Sequence, residues 1–243
     1  MSRVGAPPAE FATALAAQRI ELDPGDVDAL ATHLDMLLEA NERFNLTAIR
    51  EPAQAWMRHA ADSLSLLPWL ADAQLAVDLG SGGGFPGMPL AIALPGLQVH
   101  LVESVGKKCN FLREVAARLG LANVTVHHRR AEEMAAFRGG LREQADAVVC
   151  RAVGSLATLV ELAVPLLKVE GLLLAIKGER APDEIREATR ALHELHAEVV
   201  DSHRTPTGTV VVIRKLAKTV RLYPRDQGLP ARKPLGAPPR EPS

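Results

Sequence analysis

Leu75-Ala76-Val77-Asp78-Leu79-Gly80-Ser81-Gly82-Gly83-Gly84-Phe85-Pro86-Gly87 carries an apolar strand through an acid into a glycine-rich turn. Met88-Pro89-Leu90-Ala91-Ile92-Ala93-Leu94 follows and reads as the start of a packed helix. Glycine takes positive φ without steric cost and admits a ligand that any Cβ would push away. The free N–H groups of the helix start are the usual seat for a nucleotide-type group. A turn this dense in glycine is costly to order unless something requires it.

Outward from this turn, strands and helices alternate. Apolar runs predict strands at 75–79, 98–102, 124–127, 145–150, 172–176, 198–202 and 209–214, with helices at 86–94, 107–119, 156–167 and 182–193. The early strands are continuously apolar and flanked by helices, the mark of a parallel sheet covered on both faces. The last two have no helix between them and read as an antiparallel hairpin. Before the sheet, Asp23-Pro24-Gly25-Asp26 is a helix start, with an N-cap acid and Pro at the first helical position. Val27, Leu30, Leu34, Leu37 and Leu38 give that helix one apolar face, and a second helical stretch runs over 52–67. The expected organisation is α/β: a helical cap over 1–70, a Rossmann-like seven-stranded domain over 71–215 and an extension over 216–243.

Composition narrows the class. At 243 residues the chain suits one large α/β domain with additions. Cys109 and Cys150 are too few for a disulfide framework or a zinc site. No apolar signal core opens the chain and no run reaches membrane-span length, which predicts a soluble, cytoplasmic protein. The net charge of −1 hides an asymmetry: residues 214–243 hold eight cations against Asp226 and Glu241, a charge of +6 that leaves −7 elsewhere. That segment, rich in Pro and Gly, reads as a basic extension suited to a polyanion, with a merely solvated tail as the plainer alternative. A competing possibility is that 220–224 packs back onto the sheet.

Two cofactors fit the turn. Gly82-x-Gly84-x-x-Gly87 matches the dinucleotide fingerprint, with Glu103 about twenty residues on to take ribose hydroxyls. S-adenosylmethionine (SAM) uses the same strand, glycine turn and acid in class I methyltransferases. Asp78 before the first glycine resembles the D-x-G-x-G turn of those enzymes, and Phe85-Pro86 places a bulky ring where a pyrophosphate needs close backbone approach. Both details favour SAM. Seven strands ending in an antiparallel pair are also what a class I methyltransferase sheet would show.

Ligands of a doubly wound sheet sit outside the carboxyl ends of its strands. Glu103 ends the second strand. After the third, Ala131 and Glu132 stand where such folds hold the adenine ring, with Glu133 as a competitor. Arg151 closes the fourth strand and could hold a cofactor carboxylate or an RNA phosphate in its planar fork. Lys177 closes the fifth as a second rim cation. His127 and His128 lack metal spacing and read as surface residues, and no metal site is expected. No N-P-P-Y-type or D-P-P-Y-type tetrapeptide follows the fourth strand, which points to an acceptor that is already nucleophilic.

Several stretches together resemble the small-subunit ribosomal RNA methyltransferase G family (RsmG/GidB). They are Asn41-Glu42-Arg43-Phe44-Asn45-Leu46-Thr47-Ala48-Ile49-Arg50, Arg58-His59-Ala60-Ala61-Asp62-Ser63, the 77–89 turn, and Glu103-Ser104-Val105-Gly106-Lys107-Lys108 with Phe111-Leu112-Arg113. Arg130-Ala131-Glu132-Glu133, Arg151-Ala152, Lys177-Gly178, and Tyr223-Pro224-Arg225-Asp226-Gln227-Gly228-Leu229-Pro230 with Lys233-Pro234-Leu235 complete the match. It departs mildly at Gly83-Gly84-Phe85, where many members have Pro or Ala, and at Glu103, where some have Asp. The resemblance implies SAM-dependent methylation of guanine N7 in 16S ribosomal RNA, in the decoding region of the small subunit, by a monomer. It implies Gly80, Gly82, Phe85, Glu103, Ala131, Glu132 and Arg151 as cofactor residues. Asn45, His59, Arg151 and Lys177 are the implied substrate residues, with the cap pair closing over the pocket to orient the guanine. No residue is assigned to a proton transfer. The rival readings are a nicotinamide-dependent oxidoreductase, which would need a Tyr-x-x-x-Lys pair where the only tyrosine is Tyr223, and a non-catalytic RNA-binding module.

Overall fold

Strand β1, Leu75–Leu79, is the hub of the sheet because its side chains alternate between two apolar layers. Ala76 joins one buried cluster, and Val77 and Leu79 join the other. The computed structural model describes residues 2–151 and 153–236. Ala152 of the Arg151-Ala152 pair, and residues 237–243 with Arg240, lie outside the described residues.

In chain order the described elements begin with α1 (Ala9–Ala17), α2 (Pro24–Asn41) and α3 (Pro52–Ala55). A π-helical turn, Trp56–Ala61, leads into α4 (Asp62–Leu64), and then β1. There follow α5 (Gly87–Ala93), β2 (Gln98–Glu103), α6 (Gly106–Leu119), β3 (Val124–His128), α7 (Ala131–Ala135) and β4 (Ala145–Arg151). Next come α8 (Leu156–Ala163), β5 (Leu167–Lys177), α9 (Ala181–Glu187), α10 (Thr189–Glu194), β6 (Ala197–Arg204), β7 (Thr209–Lys215) and α11 (Leu229–Arg232). The seven strands lie in the order β3-β2-β1-β4-β5-β7-β6. All neighbours pair in parallel except β5 with β7 and β7 with β6. The strand order reverses between β1 and β4, the crevice where such sheets bind ligands.

The seven predicted strands are all present, and the antiparallel hairpin ends the sheet as its missing crossover helix implied. Three predicted helices are interrupted, the 182–193 stretch by a turn at Ala188 that divides it into α9 and α10. The 156–167 stretch ends as α-helix at Ala163, passes through a 3₁₀ turn containing Pro165, which has no N–H to donate, and enters β5. The 52–67 stretch widens into the π-turn, a local irregularity common at functional sites. Helix α2 begins at Pro24 as read, with Asp23 N–H donating to Asp26 Oδ2 at 3.2 Å.

The cap shares one core with the sheet. Phe11 meets Trp56 edge-on at 5.0 Å, and Leu30, Leu34 and Leu37 of α2 pack in the same cluster as Leu90, Leu101 and Phe111. The opposite face holds Leu156, Leu159 and Val160 of α8 and, unexpectedly, Tyr223 and Leu235. Residues 216–236 therefore form a strap packed on the sheet's second face, correcting their reading as a basic tail outside the core and favouring the packed-back alternative. Arg142 donates to the carbonyls of Thr219, Val220 and Tyr223. Arg225 forks onto the fully buried Glu161 at 2.7 and 2.6 Å. Lys215, one of the eight cations counted over 214–243, is fully buried against Glu143 at 3.0 Å and the Leu167 carbonyl.

Candidate functional site

The glycine turn is built for different purposes at different positions. Gly80, Gly82 and Gly84 have φ of +70°, +54° and +93°, a region that L side chains rarely adopt. A Cβ on Gly82 would meet nothing nearer than the Gly80 carbonyl at 3.7 Å, so that side of the turn is open to a ligand. A Cβ on Gly83 would strike Leu37 at 2.6 Å, and one on Gly84 would meet Met88 at 2.8 Å and the His33 ring at 3.1 Å. Those two glycines serve the packing of α2 on the turn. The density of glycine thus has two causes, of which the sequence reading saw only ligand approach.

Two acids secure the turn. Glu103 at the end of β2 accepts from Gly82 N–H at 3.0 Å and Val105 N–H at 2.8 Å, one on each oxygen. Each oxygen keeps a further lone pair for an incoming donor. Asp78 Oδ2 accepts from Gly87 N–H at 3.0 Å, while its Oδ1 is buried without a partner. Burial pushes the Asp78 carboxyl up to about 7, with the Glu103 charge adding a smaller push in the same direction.

Across the crevice, the cap motifs converge. The Phe85 ring lies between two imidazoles, His33 at 4.3 Å and His59 at 4.5 Å. His33 Nε2 lies 2.8 Å from the Gly83 carbonyl and so must donate to it, leaving Nδ1 without a partner. His59 Nε2 is 2.9 Å from Thr47 Oγ1, and its Nδ1 faces Arg151 Nη1 at 3.5 Å. Burial lowers His33 to about 4; burial and the Arg151 charge lower His59 to about 3. Both rings are neutral at neutral pH. Arg151 reaches Asp62 at 3.9 Å, so the two side-chain contacts it makes among the described residues are both long and leave its guanidinium donors available to an anion. Asp62, almost fully buried, accepts from Thr205 Oγ1 at 2.9 Å, from Thr207 N–H at 3.1 Å and from Thr207 Oγ1.

The structure places Gly80, Gly82, Phe85, Glu103, His59 and Arg151 around one crevice at the β1/β4 switch. Three other assignments change. Asn45 is exposed; Asn41 holds the turn instead, accepting from Leu46 and Thr47 N–H at 2.8 and 3.0 Å, and Thr47 is the member of the N-L-T motif that reaches His59. Lys177 is buried, donating to the Gly154 carbonyl at 2.8 Å and pairing with Glu184 at 2.8 Å, so it orders the loop before α8 and offers no free charge to a phosphate. Glu132 stands at the start of α7 beside Ala131, yet one of its oxygens accepts from Gly228 N–H of the strap at 2.8 Å. Thr47, Asp62, Thr205 and Thr207 were missed. The first two lie inside the quoted motifs, but nothing local links residues 62 and 207.

The family described as GidB, rRNA small subunit methyltransferase G, matches residues 26–212. A ribosomal RNA small subunit methyltransferase G of Sorangium cellulosum is 46% identical over 222 residues, covering 90% of this chain and 92% of the relative. That of Streptococcus sanguinis is 40% identical over 236 residues, covering 94% and 99%. A SAM-dependent methyltransferase structure from Aquifex aeolicus superposes with a TM-score of 0.55 over 74% of this chain and 98% of that one, at 15% identity, a likeness of fold. The chain belongs to the rRNA small subunit methyltransferase G family.

Proposed function

We propose that this protein transfers a methyl group from SAM to N7 of a guanine in the decoding region of 16S ribosomal RNA. The observation that carries the reading is the pairing of an open glycine, Gly82, with an acid, Glu103, at the topological switch point of the sheet. Gly80 and Gly82 would approach the cofactor, Glu103 would accept its ribose hydroxyls, and the 131–132 turn would lie against its adenine. Arg151 has donors to spare for its carboxylate or for an RNA phosphate. When bound, SAM supplies an electrophilic methyl group on a sulfonium sulfur.

The residues present then need only to bind and orient. Guanine N7 has an in-plane lone pair and no proton to lose, so no general base is required, and catalysis is by positioning. A neutral His59, stacked on Phe85 and tied to Thr47, is a rigid wall on the cap side. The Asp62 contacts to Thr205 and Thr207 tie the cap to the β6/β7 hairpin beside Arg151. Taking the target base out of its stack costs a few kcal/mol, which contacts elsewhere on the RNA must offset.

An oxidoreductase finds no support at this site. The Tyr223 hydroxyl, which that reading needs beside the cofactor, donates to Glu194 at 2.7 Å under the strap. No helix of the described residues is long and apolar enough to cross a membrane, and we read the protein as a cytoplasmic monomer acting on the small subunit or its RNA. Separate calorimetric titrations with SAM and with NAD test the cofactor. Saturable binding of SAM alone is expected; binding of NAD alone would overturn the assignment.

A further inference from the structure

We propose that a crevice beside the transfer pocket, between the end of α2 and the start of α6, holds one unpaired RNA base stacked on Phe44. The inference rests on the reading of this chain as an RNA methyltransferase and adds a second nucleotide subsite to it. The crevice has a volume of about 170 Å³, and its lining includes Arg43, Phe44, Lys107, Asn110, Phe111 and Glu114. At about 30 Å³ per water it holds some six waters, room for a single ring system and well below the roughly 300 Å³ of a pocket for a larger ligand.

Its two walls are extensions of the segments that form the site. Phe44 lies three residues before Thr47, which meets His59; Lys107 lies four residues after Glu103, in the first turn of α6. The Phe44 ring is half-buried, packed against the core by part of its surface. Lys107 Nζ stands 5.6 Å from its centroid, on a flexible stem that can yield the ring face to a base and take its phosphate. Arg43 is exposed and has no carboxylate within 4 Å among the described residues. An aromatic surface with unpaired cations beside it is the arrangement that binds single-stranded nucleic acid, the ring stacking a base and the cations taking its phosphate. Glu114 adds one acceptor among the donors, suited to an exocyclic amine on the base edge. The need for such a subsite follows from the reaction. Extruding the target guanine leaves the adjoining base without a stacking partner, and Phe44 replaces the one it lost.

Phe44→Leu keeps apolar bulk against the core and removes the stacking face, while Phe44→Tyr keeps both. Binding of a short single-stranded RNA oligonucleotide is followed by fluorescence anisotropy, and KM is measured on small ribosomal subunits. Phe44→Leu should weaken oligonucleotide binding and raise that KM by about tenfold, within the range for loss of one stacked base. SAM affinity and melting temperature should stay at the parent's values, and Phe44→Tyr should restore RNA binding. Lys107→Gln, which disturbs little packing, should lower the log–log salt slope of oligonucleotide binding by about 0.7. Unchanged RNA affinity in Phe44→Leu, losses of SAM affinity and melting temperature that parallel the RNA loss, or an unchanged slope in Lys107→Gln would each overturn the subsite. The oligonucleotide readout needs no turnover, so a parent protein that binds RNA but transfers no methyl group would count against the proposed reaction and leave the stacking test standing.

Discussion

Arg225→Met tests whether the strap is part of the fold. Glu161 on α8 has no exposed surface and accepts three hydrogen bonds from one residue: Arg225 N–H at 3.0 Å, Nε at 2.7 Å and Nη2 at 2.6 Å. The guanidinium also donates to the Lys233 carbonyl at 2.8 Å, tying the strap to its own end. Methionine retains the apolar stem and the backbone donor but leaves a buried carboxylate with one hydrogen bond in place of three. Removing one member of a buried pair costs about 3–5 kcal/mol. The Arg225 side chain is 20% exposed, so water compensates part of the loss and places the cost near the lower end, about 3 kcal/mol. At roughly 2–4 °C per kcal/mol for a chain of this size, the melting temperature should fall by about 6–12 °C. Scanning calorimetry of parent and variant in the same buffer measures it. A fall of less than about 1 °C would refute the strap as a structural element and return it to a solvated tail.

Gly82→Ala and Gly84→Ala should separate the two uses of glycine. The first should weaken SAM binding with a stability loss of only about 1–2 kcal/mol from its left-handed backbone, because its added methyl meets open space; the second should unfold the turn through His33 and Met88 and lower the melting temperature more. Equal destabilisation in calorimetry would contradict the distinction. Glu103→Ala should cost SAM about 1.5–3 kcal/mol, the worth of hydrogen bonds to a charged group, measured by titration; unaltered affinity would remove Glu103 from the ribose. Asp78 gives a pH signature. Its folded carboxyl, raised from 3.8 to about 7 by burial, contributes stability that is complete below pH 4 and is lost as pH rises through 7. His33, lowered to about 4, contributes the opposite slope, so the comparison must be made between variants. The melting temperature of Asp78→Asn relative to the parent should rise from pH 4 to pH 7, and a flat difference would contradict the buried, raised carboxyl.

Much of the architecture was legible because parallel strands buried on both faces must be apolar throughout, as Ala76-Val77 and Val148-Val149 are. The β1 turn and the acid at Glu103 were legible for the same reason: their chemistry is local. What escaped were partners set by distant folding. Asp62 and Thr207 are 145 residues apart, and nothing local shows that Thr47, not Asn45 of the same motif, meets His59. Lys177 reads as a rim cation and Lys215 as one of the C-terminal cations because the sequence shows charge but not the Glu184 and Glu143 that meet them. The +6 of the C-terminal stretch suggested a free extension suited to a polyanion for the same reason, since Glu161 lies buried in a helix whose other residues, Thr158 apart, are apolar.

The central claim is transfer of a methyl group to one guanine N7 of 16S ribosomal RNA. Small subunits lacking the modification, incubated with this protein and methyl-labelled SAM, can be digested to nucleosides for mass spectrometry, with the labelled site mapped by cleavage of the RNA at 7-methylguanosine. The expected result is label in 7-methylguanosine alone, at a single position in the decoding region. Label in any other nucleoside, in protein, or at a guanine elsewhere in the subunit would contradict the account.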